Sequence, residues 1–218
     1  MRYPVLVLSV VFLLAGCREE VQEEPVPAPT PSVEDKQAVE DKQAVEQDQT
    51  SLLSYFPPDG SVASFQGEGN EFASFTLKTT YLDTQHIVQI EDNGGVTLLK
   101  IYRITDTSID LVYREPVDSN PSMPSAAEAA SYPVLETVLQ KPLQVGTSFQ
   151  GWTIESTTAT VDTGTTVYQD VIQLSRSEDQ MTTTKYFAKD IGLIRKEDTM
   201  ETEQDEPFVV TSTLQKIE

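Results

Sequence analysis

Thiol and imidazole chemistry have one candidate residue each in this chain, Cys17 and His86. Cys17 closes the stretch Leu14-Ala15-Gly16-Cys17, directly after the apolar run from Val5 to Leu14, and is followed by charged and Pro-rich sequence. That setting argues against a buried structural cysteine, and its plain reading is an ordinary export signal in which Cys17 falls near the cleavage site. With Cys17 modified no thiol remains, so the rest of the chain has no disulfide, no thiolate nucleophile and no cysteine metal site. His86 alternates with Val88 and Ile90, as expected of one strand face, and reads as a hydrogen-bonded, half-buried histidine rather than a catalyst.

Other reactive constellations are missing. There is no Gly-x-Ser-x-Gly elbow and no phosphate loop, and Gly67-Glu68-Gly69-Asn70 lacks the lysine and the strand-loop-helix setting, so it reads as a turn. No catalytic residue, no metal ligand and no cofactor is assigned from the sequence. Carboxylates are abundant, 35 Asp plus Glu against 15 Lys plus Arg, and any pair could in principle serve as acid and base. Two oxygen-rich stretches, Asp118-Ser119-Asn120 and Glu91-Asp92-Asn93, suit calcium by ligand type, but neither has the spacing of an EF-hand.

Position along the chain sorts these groups into three regions. Residues 1–16 carry one basic residue, Arg2, then the apolar run and the small pair Ala15-Gly16, which is the layout of an export signal. The run is shorter than the roughly 20 residues of a membrane span. Residues 17–54 read as a disordered acidic linker: Pro25 to Pro31 alternate prolines, and Val33 to Ala38 repeats as Val39 to Ala44. Proline alternation favours extended chain, charged flanks self-repel, and a six-residue valine period builds no helical stripe. Such a linker spans roughly 30–35 Å as a coil.

From Tyr55 to Glu218 the composition shifts to strand formers. Apolar residues alternate at Ala73, Phe75, Leu77 and Tyr81, at Val88 and Ile90, and at Ile109, Leu111 and Tyr113, with turns between, of which Asn93-Gly94 is the clearest hairpin cue. Residues 72–114 therefore predict a four-stranded meander. Glu115 to Tyr132 predicts a loop with one helical turn at Ser125 to Ala130. Further strands are expected at Val134–Gln140, Ser148–Ile154, Thr157–Val161, Val167–Leu174, Thr182–Ala188, Leu193–Asp198 and Phe208–Lys216. The fold class is mainly β, antiparallel, either a curved half-barrel or sandwich-like.

Leu14-Ala15-Gly16-Cys17 resembles the lipobox of bacterial lipoproteins, which implies diacylglycerol on the Cys17 sulfur, two or three acyl chains and stable anchoring. Tyr55 to Gly60, Gly67 to Phe75, Glu91 to Gly95 and Tyr186 to Lys196 resemble uncharacterised lipoproteins of Gram-positive, Bacillus-like bacteria. Asp190 stands where those proteins commonly have glycine. No catalytic or ligand residue carries over from the resemblance. Within Tyr186 to Lys196 the residues Lys189-Asp190-Ile191-Gly192 predict a tight turn with left-handed backbone, placing Tyr186, Ala188, Leu193 or Ile194 in the core. Trp152, between Phe149 and Ile154, reads as a core residue.

The formal net charge of −20 argues against nucleic acid and anionic head groups as partners. Residues 17–50 hold only three basic against ten acidic residues, so the folded part is strongly acidic too. The expected function is a membrane-anchored lipoprotein on the extracytoplasmic face, a non-enzymatic module binding an apolar ligand or an envelope protein. The alternative is an envelope hydrolase using carboxylates. Metabolic labelling with a fatty-acid analogue should mark the protein and lose the mark in Cys17→Ala; label that persists in the variant overturns the anchor.

Overall fold

The computed structural model describes residues 51–118, 121–202 and 206–218. The signal, Cys17 and the linker as far as residue 50 lie outside these residues, as do Ser119 and Asn120. Twelve strands form one antiparallel sheet: β1 Val62–Glu68, β2 Phe75–Tyr81, β3 His86–Asp92, β4 Thr97–Ile104, β5 Ser108–Val117, β6 Glu136–Gln140, β7 Ser148–Phe149, β8 Trp152–Asp162, β9 Val167–Glu178, β10 Met181–Ala188, β11 Gly192–Met200 and β12 Phe208–Ile217. Their order across the sheet is β6-β5-β4-β3-β2-β1-β12-β11-β10-β9-β8-β7. Strands β1 to β6 and β7 to β12 form two meanders of sequence neighbours, joined where the first strand β1 pairs with the last strand β12, while the consecutive strands β6 and β7 do not pair and form the two edges. The sheet curls until its edge strands nearly meet, and this single layer settles the choice between curved barrel and sandwich.

The expected meander is present as β2 to β5, with Asn93 Oδ1 accepting from the Gly95 and Val96 N–H groups at the β3–β4 turn. Four details differ from the sequence reading. The first strand, β1, has only the short pattern Val62, Ala63 and Phe65, and its Gly67 is in the ladder rather than in a turn. A Cβ at Gly67 would fall 2.3 Å from the Ala73 carbonyl carbon, so glycine there allows the returning chain to pass close by. Second, β5 continues through Pro116 to Val117. Proline is tolerated because β6 pairs with β5 only from Ser108 to Leu111, which leaves the Pro116 side of β5 without a hydrogen-bonding neighbour.

Third, Ser148–Ile154 is not one strand. Gln150 and Gly151 both have positive φ, 45° and 81°, and turn the chain between Phe149 and Trp152, as in a two-residue hairpin of the primed type. The segment from Trp152 then runs unbroken through the expected Thr157–Val161 strand to Asp162. Fourth, packing begins before Tyr55. Leu52–Tyr55 is a 3₁₀ turn capped by Ser51, and Leu52 is 2% exposed within the main core. This turn is tied to the β10–β11 turn, where the Asp190 N–H donates to the Ser54 carbonyl at 2.5 Å. Asp190 and Gly192 there have φ of 63° and 83°, the expected left-handed turn.

Three clusters make the core. One gathers Leu52, Tyr55, Phe56, Ile87, Leu139, Leu143, Trp152, Leu174 and Phe187 at one end of the barrel. A second joins Ala63, Phe65, Leu77 and Leu214 to Val161 and Val171 of the β8–β9 hairpin. That hairpin extends past the end of the β9–β10 pairing at Ile172, and its tip reaches β12, with Thr165 Oγ1 donating to the Gln215 carbonyl at 3.1 Å. The third cluster lies under helix α1, Ala126–Ser131, whose Ala129 packs with Val88, Leu99, Ile101 and Val112. Ser125 and Glu128 form a reciprocal capping box on α1. No helix among the described residues is long and apolar enough to cross a membrane.

Because Leu52 is sealed into the largest cluster, Leu52→Ala should destabilise the domain by about 2–5 kcal/mol. A urea titration should show a lower midpoint with an unchanged slope; an unchanged midpoint would place residues 51–54 outside the folded unit.

Candidate functional site

Strand alternation puts one face of every strand toward the barrel axis, and those faces enclose a cavity of about 470 Å³. Its floor is buried and largely aromatic: Tyr55, Phe56, Trp152 and Phe187. One flank, from β1 and β2, is apolar, with Phe65 stacked on Phe75 at 4.3 Å between ring centroids and Leu77 beside them. Exposed Asn70, Phe72, Arg114 and Met181 stand where the cavity meets solvent. Met181 is opposite Met200, and Met200 opposite Phe208, so an exposed apolar row continues along the strand ends from the cavity.

The rest of the wall is charged, beginning at Glu91, the cross-strand neighbour of Leu77. Lys100 pairs with Glu91 and Lys196 with Asp198. Glu136 of β6 is the meeting point of three strands: its Oε1 accepts from Trp152 Nε1 at 3.1 Å and lies 3.5 Å from an Arg176 guanidinium nitrogen and 3.7 Å from Lys185 Nζ. The Arg176 guanidinium carbon and Lys185 Nζ sit over the Trp152 ring, 4.6 and 4.3 Å from its centroid, within cation–π range. Arg176 Nε also reaches the exposed Glu178 at 3.5 Å. Nearby, the Thr137 N–H donates to Gln150 Oε1 at 2.8 Å, so β6 is joined to the β7–β8 hairpin by side chains instead of a ladder.

Electrostatics follow from this placement. Burial pulls the Lys185 ammonium down to about 8 from its ordinary 10.5; Glu136 acts against that shift, and Lys196, Arg176 and Lys100 add to it. Burial, and then the Glu91 and Glu136 carboxylates, push the Tyr102 phenol up, so this cavity hydroxyl stays neutral.

Residues singled out from the sequence fall mostly elsewhere. His86 is buried on the outer face, its Nδ1 3.1 Å from Asp83, and it does not line the cavity. Trp152 is fully buried, as read, but its ring also forms cavity wall. The Glu91-Asp92-Asn93 oxygens do not converge: Glu91 turns inward to Lys100, while Asp92 and Asn93 accept backbone N–H groups of the turn. The Asp118-Ser119-Asn120 stretch extends outside the described residues. Among the described residues no three His, Cys, Asp or Glu side chains cluster as a metal site would require. The three carboxylates of the cavity, Glu91, Glu136 and Asp198, each face a cation.

Lys185, Arg176 and Glu136 were not legible in the sequence. They come from three strands, and the only local signal was a charged residue in a strand of alternating pattern. Comparison with protein-family models, curated proteins and solved structures gives no match.

Lys185 makes stability depend on pH in a definite direction. Between pH 8 and 10.5 the unfolded chain holds a proton that the folded one lacks, so this group's contribution rises with pH across that window and is unfavourable below it. At about 1.4 kcal/mol per pH unit the effect amounts to a few kcal/mol. Urea titrations of wild type and Lys185→Met at pH 7 to 10 should show the wild type gaining on the variant; a constant difference would mean that Lys185 titrates normally.

Proposed function

We propose that this chain is a non-enzymatic binding module anchored at the extracytoplasmic face of a membrane through acylated Cys17, with the barrel cavity as its ligand site. The observation that carries the reading is the cavity itself: about 470 Å³ inside a barrel whose floor is otherwise densely packed. Small-molecule sites span roughly 300–1,000 Å³ and combine apolar walls with a few fixed polar groups, and this cavity has both. Its stiffness favours binding, since walls set by paired strands need little ordering when a ligand enters.

The mouth fits the same reading. Phe72 and Met181 leave apolar surface exposed where a ligand would enter, and the Met181–Met200–Phe208 row extends it. The resemblance to lipoproteins of Bacillus-like bacteria agrees with the anchor, and the linker would hold the barrel off the membrane surface.

Organic extraction of the purified protein followed by mass spectrometry should release a bound small molecule, or the emptied protein should take up the uncharged dye N-phenyl-1-naphthylamine with a rise in its emission. Leu77→Trp, which fills the apolar flank, should abolish uptake. Neither an extracted molecule nor dye uptake would overturn the reading.

A further inference from the structure

The charge inside the barrel has the opposite sign to the charge of the protein. Five of the chain's 15 Lys and Arg residues line the cavity, but only three of its 35 Asp and Glu residues do. One of the five, Arg114, is exposed at the mouth, so the enclosed lining holds four cations against three carboxylates, a formal +1 within a chain of −20. A solvated acidic surface needs no such arrangement, and enclosing cations in excess of their counter-charges is unfavourable unless something balances them.

Pairing inside the cavity shows where the excess lies. Lys100 and Lys196 each have a carboxylate. Lys185 and Arg176 share Glu136, and Arg176 otherwise reaches only the exposed Glu178 at 3.5 Å. Both are fixed over Trp152, so they are oriented before any ligand arrives. An ammonium and a guanidinium that converge on one carboxylate oxygen are the groups that recognise oxyanions. Elsewhere the lining holds Phe65, Phe75 and Leu77, which offer nothing polar.

We propose that the cavity takes an amphipathic oxyanion, its carboxylate or phosphate head held by Lys185 and Arg176 and its apolar body along Phe65, Phe75 and Leu77. This rests on the reading of the cavity as a ligand site and specifies the ligand's chemistry. The acidic exterior slows approach of small free anions, and the exposed Phe72 and Met181 at the mouth favour a ligand that also has an apolar part.

Decanoate, decyl phosphate and decanol, each below its micelle concentration, separate the possibilities. Trp152 is the only tryptophan and forms cavity wall, so its emission reports binding without a label. Both oxyanions should bind at least tenfold more tightly than decanol, and the tighter of the two identifies the head group. Acetate and inorganic phosphate, which lack the apolar body, should not bind at millimolar concentration. By calorimetry, Lys185→Met with Arg176→Met should weaken decanoate at least tenfold and leave decanol unchanged. Glu136→Gln keeps an acceptor for Trp152 and should tighten decanoate severalfold, the opposite change from a variant close by, which a general loss of structure would not produce. Decanol binding as tightly as decanoate, or decanoate affinity indifferent to both sets of substitutions, overturns the proposal while the ligand site stands. Failure of every probe, together with no uptake of the uncharged dye, overturns the ligand site itself.

Discussion

A twelve-stranded sheet has two edges, and in this protein one carboxylate ties the edge strand β6 to the strands on the far side of the seam. Glu136, on the edge strand β6, accepts the Trp152 indole N–H and faces Arg176 and Lys185, so it ties β6 to β8, β9 and β10. Beside it the Thr137 N–H is satisfied by the Gln150 side chain. An unpaired edge exposes a row of donors and acceptors that invites association with other chains. Side-chain closure occupies part of that row, and the groups that make it, Glu136, Trp152, Arg176 and Lys185, are also part of the cavity's lining.

The same joint gives the barrel a polarity along its axis. The floor is sealed by the 3₁₀ turn with Leu52, Tyr55 and Phe56, and by the β8–β9 hairpin that bends across to β12. Asp190 links the first of these seals to the β10–β11 turn. Exposed Phe72, Arg114 and Met181 lie elsewhere on the lining, at the solvent side. Burial is therefore spent on one end, and the other keeps space.

Much of the architecture was legible in the sequence because it is local. Alternation and turn residues identify β2 to β5 and the hairpins at Asn93 and Asp190, since both signals act within a few residues. β1 escaped notice because Gly67 and Gly69 interrupt its pattern for the sake of a close backbone approach. Pro116 looked like a strand end, and would be one in a fully paired strand; only the short reach of β6 makes it acceptable. Gln150 gave no turn signal, since a glutamine with positive φ is uncommon and owes its conformation here to the Gly151 that follows and the contact its side chain makes with Thr137.

The sequence by itself determined a mainly antiparallel β domain, a four-stranded meander over residues 72–114, an overall acidic charge, and a single thiol placed just after an apolar N-terminal run. Tertiary structure decided which of the charged strand residues turn inward. A period of two divides a strand's side chains between two faces, but it does not say which face becomes the inside of a barrel, or which inward residues on strands far apart in sequence will meet. Lys185, Arg176 and Glu136 come together only because the sheet curls through its full width, and the sign of charge at that meeting point is the reverse of the chain's total.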